Sequence, residues 1–202
     1  QVAADTFERS RIGGFLYVIG WVAVAITGRA DIAYFAWSLG IGLAFLVIAG
    51  LRMAYHPPVA DAAGQRAWLR RYGAVMVASP LVWGAAQTWF LLDPYFDVNT
   101  QTVSLVATIG YATVFANVYS TSRTLAAIGI AALFVPPIVA LLSQRSQLTI
   151  AIAYLMYAGY LVFAVLHSHA EYRRRLLLDE ALLDQRDRFE RLSRSLDPSD
   201  NA

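Results

Sequence analysis

Long apolar segments separated by short polar ones occupy the chain up to residue 167. A bilayer core about 30 Å thick needs about 20 mainly apolar residues to be crossed as a helix. Six segments meet this length approximately: Ile12 to Thr27, Ile32 to Leu51, Tyr72 to Leu92, Thr102 to Tyr119, Thr124 to Leu142, and Leu148 to His167. The pattern predicts an all-α integral membrane protein whose six transmembrane helices form a bundle.

Composition agrees with this pattern and divides the chain into two parts. The 202 residues are 58% hydrophobic and 15% charged, whereas a soluble domain carries about 25% charged residues. The segment from Glu171 to Ala202 holds 7 of the 16 arginines and 8 of the 14 acidic residues. We therefore expect a transmembrane sensor or anchor domain over residues 1–168 and a cytoplasmic linker helix over residues 169–202.

The charges of the connections predict an orientation. The connection from Arg52 to Arg71 carries four arginines, the next carries only Asp93 and Asp97, and the tail opens with three arginines from Arg173 to Arg175. Cytoplasmic loops of membrane proteins are enriched in arginine and lysine. We expect a multi-pass protein of the bacterial inner membrane with both termini in the cytoplasm.

A heptad pattern follows the sixth span. No proline or glycine occurs between Gly159 and Pro198, so the span can continue into the tail as one helix on the order of 70 Å long. Its seam positions, spaced 4, 3, 4, 3 and 4 residues apart, are Leu178, Leu182, Gln185, Phe189, Leu192 and Leu196. The spacing predicts a coiled-coil signalling helix and a parallel homodimer. The alternative is an amphipathic helix that lies on the membrane or folds back on the domain.

The residue types exclude several functions. No predicted span has a charged residue in its interior, which argues against a proton relay or an ion-coupled pump. Cysteine and lysine are absent, and no phosphate loop, HExxH, GxSxG or paired-carboxylate motif occurs. We predict no catalytic residue and no cofactor. The net charge of +2 is too small to indicate nucleic acid as a partner.

Uncharged polar and aromatic residues inside the spans are the candidate site. Trp83 and Gln87 lie one turn apart on the third span. The full set is Trp83, Gln87, Tyr111, Asn117, Tyr154 and Tyr157. These residues could line a pocket for a lipid or a fatty-acid-like ligand. They could equally hold the helices together through interhelical hydrogen bonds.

Three histidines are the only candidate metal ligands: His56 after the second span, and His167 and His169 at the end of the sixth. His167 and His169 lie about 200° apart on a helix, so they cannot easily bind one metal from the same chain. His56 with either of them could hold a metal or haem iron. The simpler interpretation, interfacial histidines near lipid headgroups, predicts no metal site.

The architecture resembles that of a known group of membrane sensors. The last span runs through the sequence His167-Ser168-His169-Ala170-Glu171-Tyr172-Arg173-Arg174-Arg175 into the heptad helix. In this plan the chain resembles the membrane-associated sensor (MASE-like) regions ahead of GGDEF diguanylate cyclases or histidine kinases, and it is similar to the membrane anchors of class III adenylate cyclases. The resemblance implies a dimeric input domain that couples an event in the membrane to an output enzyme located after Ala202.

Three other functions stay open at this point. In a small transporter or channel, Pro80 and the Pro136-Pro137 pair would mark gating breaks, although no internal repeat is visible. A passive membrane anchor needs no ligand. A membrane enzyme acting on lipids would use the three histidines, but such a site normally needs further acidic ligands.

Overall fold

The computed structural model describes residues 6–8, 10–27, 32–58, 62–93, 96–119, 122–144 and 147–195. The described part is helical with short connections and contains no strand. In chain order its long helices are α1 (Gly13–Thr27), α2 (Ile32–Ala54), α3 (Ala62–Leu92), α4 (Val98–Val118), α5 (Arg123–Ser143) and α6 (Leu148–Ser195).

All six helices contain a segment long and apolar enough to cross a membrane. These segments coincide with the six predicted spans, so the number and order of the long apolar helices are confirmed. The described part of the chain is all-helical, with six helices able to cross a membrane, as in a multi-pass membrane protein. Many large apolar side chains lie on the outer surface of the bundle, as expected where lipid rather than water surrounds the helices.

Helices α3 and α4 occupy the middle of the bundle, with the α1/α2 pair on one side and the α5/α6 pair on the other. Helices that follow one another in the chain run in opposite directions. Helices α1 and α4 are antiparallel too: Tyr111 of α4 contacts Leu16 near the start of α1, whereas Thr100, near the start of α4, contacts Thr27 at the end of α1. We call the end at which α6 leaves the bundle the tail end. There α1, α3 and α5 begin, and α2 and α4 end.

Small residues bring two pairs of helices into close contact. A Cβ atom added at Gly84 of α3 would lie 2.1 Å from the carbonyl oxygen of Ala132 on α5. A Cβ at Gly14 of α1 would lie 2.9 Å from the Cα of Ala49 on α2. Both pairs of backbones are therefore packed as closely as glycine allows, in the manner of small-residue contacts between membrane helices.

Two predicted boundaries differ from the structure. Helix α3 begins at Ala62 rather than Tyr72, because its first turns are helical but too polar to be detected by hydropathy. Helix α2 continues to Ala54, so Arg52 lies in its last turn rather than in the following connection. The Arg52 side chain is only 1% exposed. Arg52 thus follows directly on the predicted span Ile32 to Leu51, and its burial was not predicted.

Helix α6 runs without interruption over 48 residues, a length of about 72 Å. The predicted continuity between the last span and the tail is confirmed as far as Ser195. The heptad position Leu196 lies outside the described residues, as does the rest of the chain after it.

Candidate functional site

Three of the sequence-predicted residues meet in a buried hydrogen-bond network. The Trp83 indole N–H donates to Thr108 Oγ1 at 2.7 Å. The Gln87 side chain accepts from Thr108 at 2.7 Å and donates to the Tyr154 hydroxyl at 3.1 Å. Tyr154 in turn donates to the carbonyl oxygen of Leu105 at 2.8 Å. We call these five residues the Thr108 network.

The Thr108 network joins α3, α4 and α6 and is fully paired. Its polar side chains are buried, and the single Thr108 hydroxyl hydrogen has two acceptors within reach, Gln87 Oε1 at 2.7 Å and the Ser104 carbonyl oxygen at 2.8 Å. Since a buried polar group without a partner costs about 1–3 kcal/mol, this pairing stabilises the three-helix contact. For Trp83, Gln87 and Tyr154 the geometry favours interhelical bonding over a ligand pocket.

Tyr111 forms no hydrogen bond with this network and borders a cavity. Its hydroxyl donates to the Leu16 carbonyl oxygen at 3.0 Å and lies 1.5 Å from where a Cβ of Gly20 would be. Its ring stacks on Tyr17 with centroids 4.4 Å apart and meets Trp83 edge-on at 4.6 Å. Only glycine at position 20 permits this placement of the phenol between α1 and α4.

The remaining two predicted residues lie elsewhere on the bundle. Tyr157 shares a hydrogen bond with Thr113 Oγ1 at 2.5 Å, which links α6 to α4. Asn117, one turn further along α4, is exposed. The six predicted residues therefore do not surround one common pocket.

A second buried cluster, at the tail end, was not predicted. The Arg52 Nη2 group donates to the Ser10 carbonyl oxygen at 2.9 Å and to the Tyr119 hydroxyl. The Ser10 and Tyr72 hydroxyls are 2.9 Å apart. Tyr17 shares a cavity wall with Arg52 and Tyr119. We call Ser10, Tyr17, Arg52, Tyr72 and Tyr119 the Arg52 cluster; it connects α1, α2 and α3 with the end of α4.

Pairing in the Arg52 cluster is incomplete. Among the described residues, Arg52 Nε and Nη1 and the Tyr17 hydroxyl have no hydrogen-bond partner. Within the described part of the chain, Arg52 forms no ion pair. A buried charge without a counter-charge costs several kcal/mol. The cluster therefore has an unmet demand for negative charge.

A small cavity adjoins the unpaired groups. It has a volume of about 20 Å³ and is lined by Gly13, Leu16, Tyr17, Arg52, Tyr111, Val114, Phe115, Val118 and Tyr119. A cavity needs about 10–15 Å³ of such space to hold a water molecule. The volume thus accommodates one group of that size next to the guanidinium.

The three histidines make different contacts. His56 packs against Phe7 with ring centroids 4.8 Å apart, and His167 is 3.4 Å from Glu171 one turn along α6. His169 borders a cavity of about 480 Å³ with Arg123 and the start of α5. No three His, Cys, Asp or Glu side chains of the described residues come together in a way that could hold a metal ion.

The heptad seam has no partner within the bundle as far as its side chains are described. Leu178, Leu182 and Phe189 are 63%, 62% and 77% exposed, respectively. Gln185 is also exposed. The side chain of Leu192, like Leu196, lies outside the described residues. The described seam forms an apolar stripe on a solvent-accessible helix.

No protein-family model, no curated protein and no solved structure matches the chain.

Proposed function

We propose that this chain is a membrane sensor and dimerisation module of a bacterial signal-transduction protein. It couples a ligand or membrane event, through α6, to an output domain of the diguanylate cyclase or histidine kinase class. The observation that carries the proposal is the continuity of α6, which contributes Tyr154 to the Thr108 network and reaches Ser195 as the same helix. The chain itself is proposed to regulate rather than catalyse.

The geometry of α6 suits transmission between these two parts. Tyr154 and Tyr157 bind α6 to α3 and α4 by hydrogen bonds. Residues 168–195 then extend about 42 Å at 1.5 Å per residue. Since no break separates the two parts, a shift or rotation of α6 in the bundle reaches the tail. Such shifts are an established means of switching dimeric proteins.

A second copy of the chain is the proposed occupant of the seam. The exposed Leu178, Leu182 and Phe189 side chains recur at heptad spacing, and a two-stranded coiled coil buries side chains at such positions. Arginines at positions 66, 70, 71, 123 and 173–175 concentrate at the tail end, which supports a cytoplasmic location for that end. The proposed assembly is therefore a parallel homodimer in the inner membrane.

Disulfide cross-linking tests the dimer, because the chain has no native cysteine. Leu182→Cys places a thiol on the seam, and Asp187→Cys places one about 140° away on the same helix as a matched control. In membranes under mild oxidation we expect a covalent dimer for Leu182→Cys and little for Asp187→Cys. Equal cross-linking of both variants, or of neither, would contradict the parallel seam and would favour a passive anchor or a small transporter.

A further inference from the structure

The cavity beside Arg52 combines two unpaired polar groups from different helices. Arg52, on α2, is 1% exposed and has free Nε and Nη1 groups among the described residues. Tyr17, on α1, is also buried and its hydroxyl has no partner there. Both side chains line the same cavity. A buried guanidinium charge and unpaired N–H and O–H donors therefore belong to residues that adjoin one small, partly open cavity.

The chemistry of this space selects an anion. The other groups on its wall are apolar or aromatic apart from the Tyr111 and Tyr119 hydroxyls, both already hydrogen-bonded. Water would meet the hydrogen-bonding demand but would leave the guanidinium charge uncompensated in a low-dielectric surrounding. A carboxylate oxygen meets both demands, since charge-assisted hydrogen bonds to arginine are short and strong.

The cavity lies close to the lipid-facing side of the bundle. Leu16 of α1 and Val114 of α4 line it, and each is 38% exposed on the outer surface. Val118 of α4, which is partly buried, lines the cavity beside them. An amphiphile in the bilayer could place its head group at Arg52 while its chain lies over this apolar surface.

We propose that Arg52 and Tyr17 bind one carboxylate, presented either by a fatty-acid-like amphiphile through the α1/α4 gap or by a free small acid. This deepens the proposed function, on which it rests, by naming the ligand class of the input site. The ligand occupies the α1/α4 side of the tail end, away from the Thr108 network.

A route from this site to α6 is visible in the contacts. Tyr111 lines the cavity and meets Trp83 edge-on at 4.6 Å. Trp83 donates to Thr108, and Gln87 links Thr108 to Tyr154 of α6. A ligand that moves Tyr111 thereby acts on the hydrogen bonds that hold α6. This gives the output helix a direct physical link to the site.

Binding is measured on the full chain, delipidated and placed in nanodiscs of zwitterionic lipid. The probes are radiolabelled dodecanoate, dodecanol as its neutral analogue, and acetate as a free acid. We expect saturable 1:1 binding of dodecanoate at least about 10-fold tighter than that of dodecanol, because only the carboxylate pairs with the guanidinium. Acetate binding that depends on Arg52 would identify a free acid as the source instead.

Variants assign the binding to the site. Arg52→Met should weaken carboxylate binding at least about 10-fold, whereas Arg123→Met, at an exposed arginine of the same end, should not change it. Should Arg52→Met not fold, Tyr17→Phe and Leu16→Trp take its place: the first should weaken binding of both acids, and the second should exclude dodecanoate but not acetate. Equal binding of dodecanoate and dodecanol, no carboxylate binding, or binding unchanged in these variants would overturn the proposal.

The outcome is separable from that of the cross-linking experiment. Carboxylate binding in a chain whose seam does not cross-link would contradict the dimeric transmission proposed above and leave the anion site intact. A cross-linked dimer that binds no carboxylate would contradict the anion site alone.

Discussion

The Thr108 network and the Arg52 cluster lie in the same bundle but differ in how completely their polar atoms are paired. In the Thr108 network every buried side-chain polar atom takes part in at least one hydrogen bond. In the Arg52 cluster a buried guanidinium and a phenol retain unpaired groups among the described residues. Complete pairing suits a contact that holds helices together, whereas incomplete pairing around a charge is the basis of the proposed anion site.

The largest expected effect is the loss of the Thr108 hydroxyl. Thr108→Val keeps the shape of the side chain but leaves the Trp83 N–H and the Gln87 carbonyl oxygen buried without their shared partner. We expect a destabilisation of about 2 kcal/mol, measured by thermal unfolding in nanodiscs. The matched control is Thr102→Val on the same helix, where the hydroxyl is exposed and bonds only its own turn. Equal effects of the two variants would remove the distinction between the network and any other threonine.

The second expected effect has the opposite sign. Arg52→Met removes a buried charge that has no counter-charge among the described residues and keeps a long apolar side chain. Replacing buried charges with apolar residues is often neutral or stabilising. In the anion-free protein we expect unchanged stability or a gain of about 1 kcal/mol, by the same unfolding measurement. A loss as large as that of Thr108→Val would show that the hydrogen bonds from Arg52 to Ser10 and Tyr119 outweigh the cost of its buried charge, and the comparison would then fail.

The smallest expected effect concerns the N-terminal cap of α4, the helix that contributes Thr108 to one region and ends at Tyr119 of the other. Asp97 caps this helix by accepting from the Thr100 N–H at 2.8 Å, and hydrogen bonds from Thr100 lower the pKa of its carboxyl below the ordinary value of 3.8. A lowered pKa stabilises the fold above the ordinary value, and this contribution is lost as the pH falls through the lowered pKa. Asp97→Asn should keep the cap and abolish this part of the pH dependence. A pH titration of the melting temperature checks this, and an unchanged titration would show that Asp97 does not contribute.

The spans were predictable from the sequence because their hydropathy depends only on local composition. The first turns of α3 were not predictable in this way, because a segment containing Arg66, Arg70 and Arg71 has the composition of a charged connection. The burial of Arg52 was missed for a different reason. An arginine after an apolar run ordinarily marks the membrane boundary. The arginine stem packs against α1 because Gly14 lies close to Ala49, and this tertiary contact is not visible in the sequence.

The candidate site was predictable in part. The shared face of Trp83 and Gln87 follows from helical spacing, and the structure brings both to Tyr154. Thr108, which joins them, was missed because threonine is common in membrane helices and its pairing depends on the register between α3 and α4. The contact of Gly20 with Tyr111 likewise depends on how α1 crosses α4. Sequence periodicity describes the faces of single helices and not the residues opposite them.

Because α6 is unbroken, a small tilt inside the bundle produces a larger displacement at its far end. The pivot is the pair of tyrosines, Tyr154 and Tyr157, that are hydrogen-bonded to α3 and α4. Ser195 lies about 57 Å beyond Tyr157 along the helix, so a tilt of about 5° at the pivot displaces Ser195 by about 5 Å. Ligand-driven helix shifts inside bundles are commonly about 1–2 Å. Because the tail is long, the displacement at Ser195 exceeds the movement at Tyr154 that causes it.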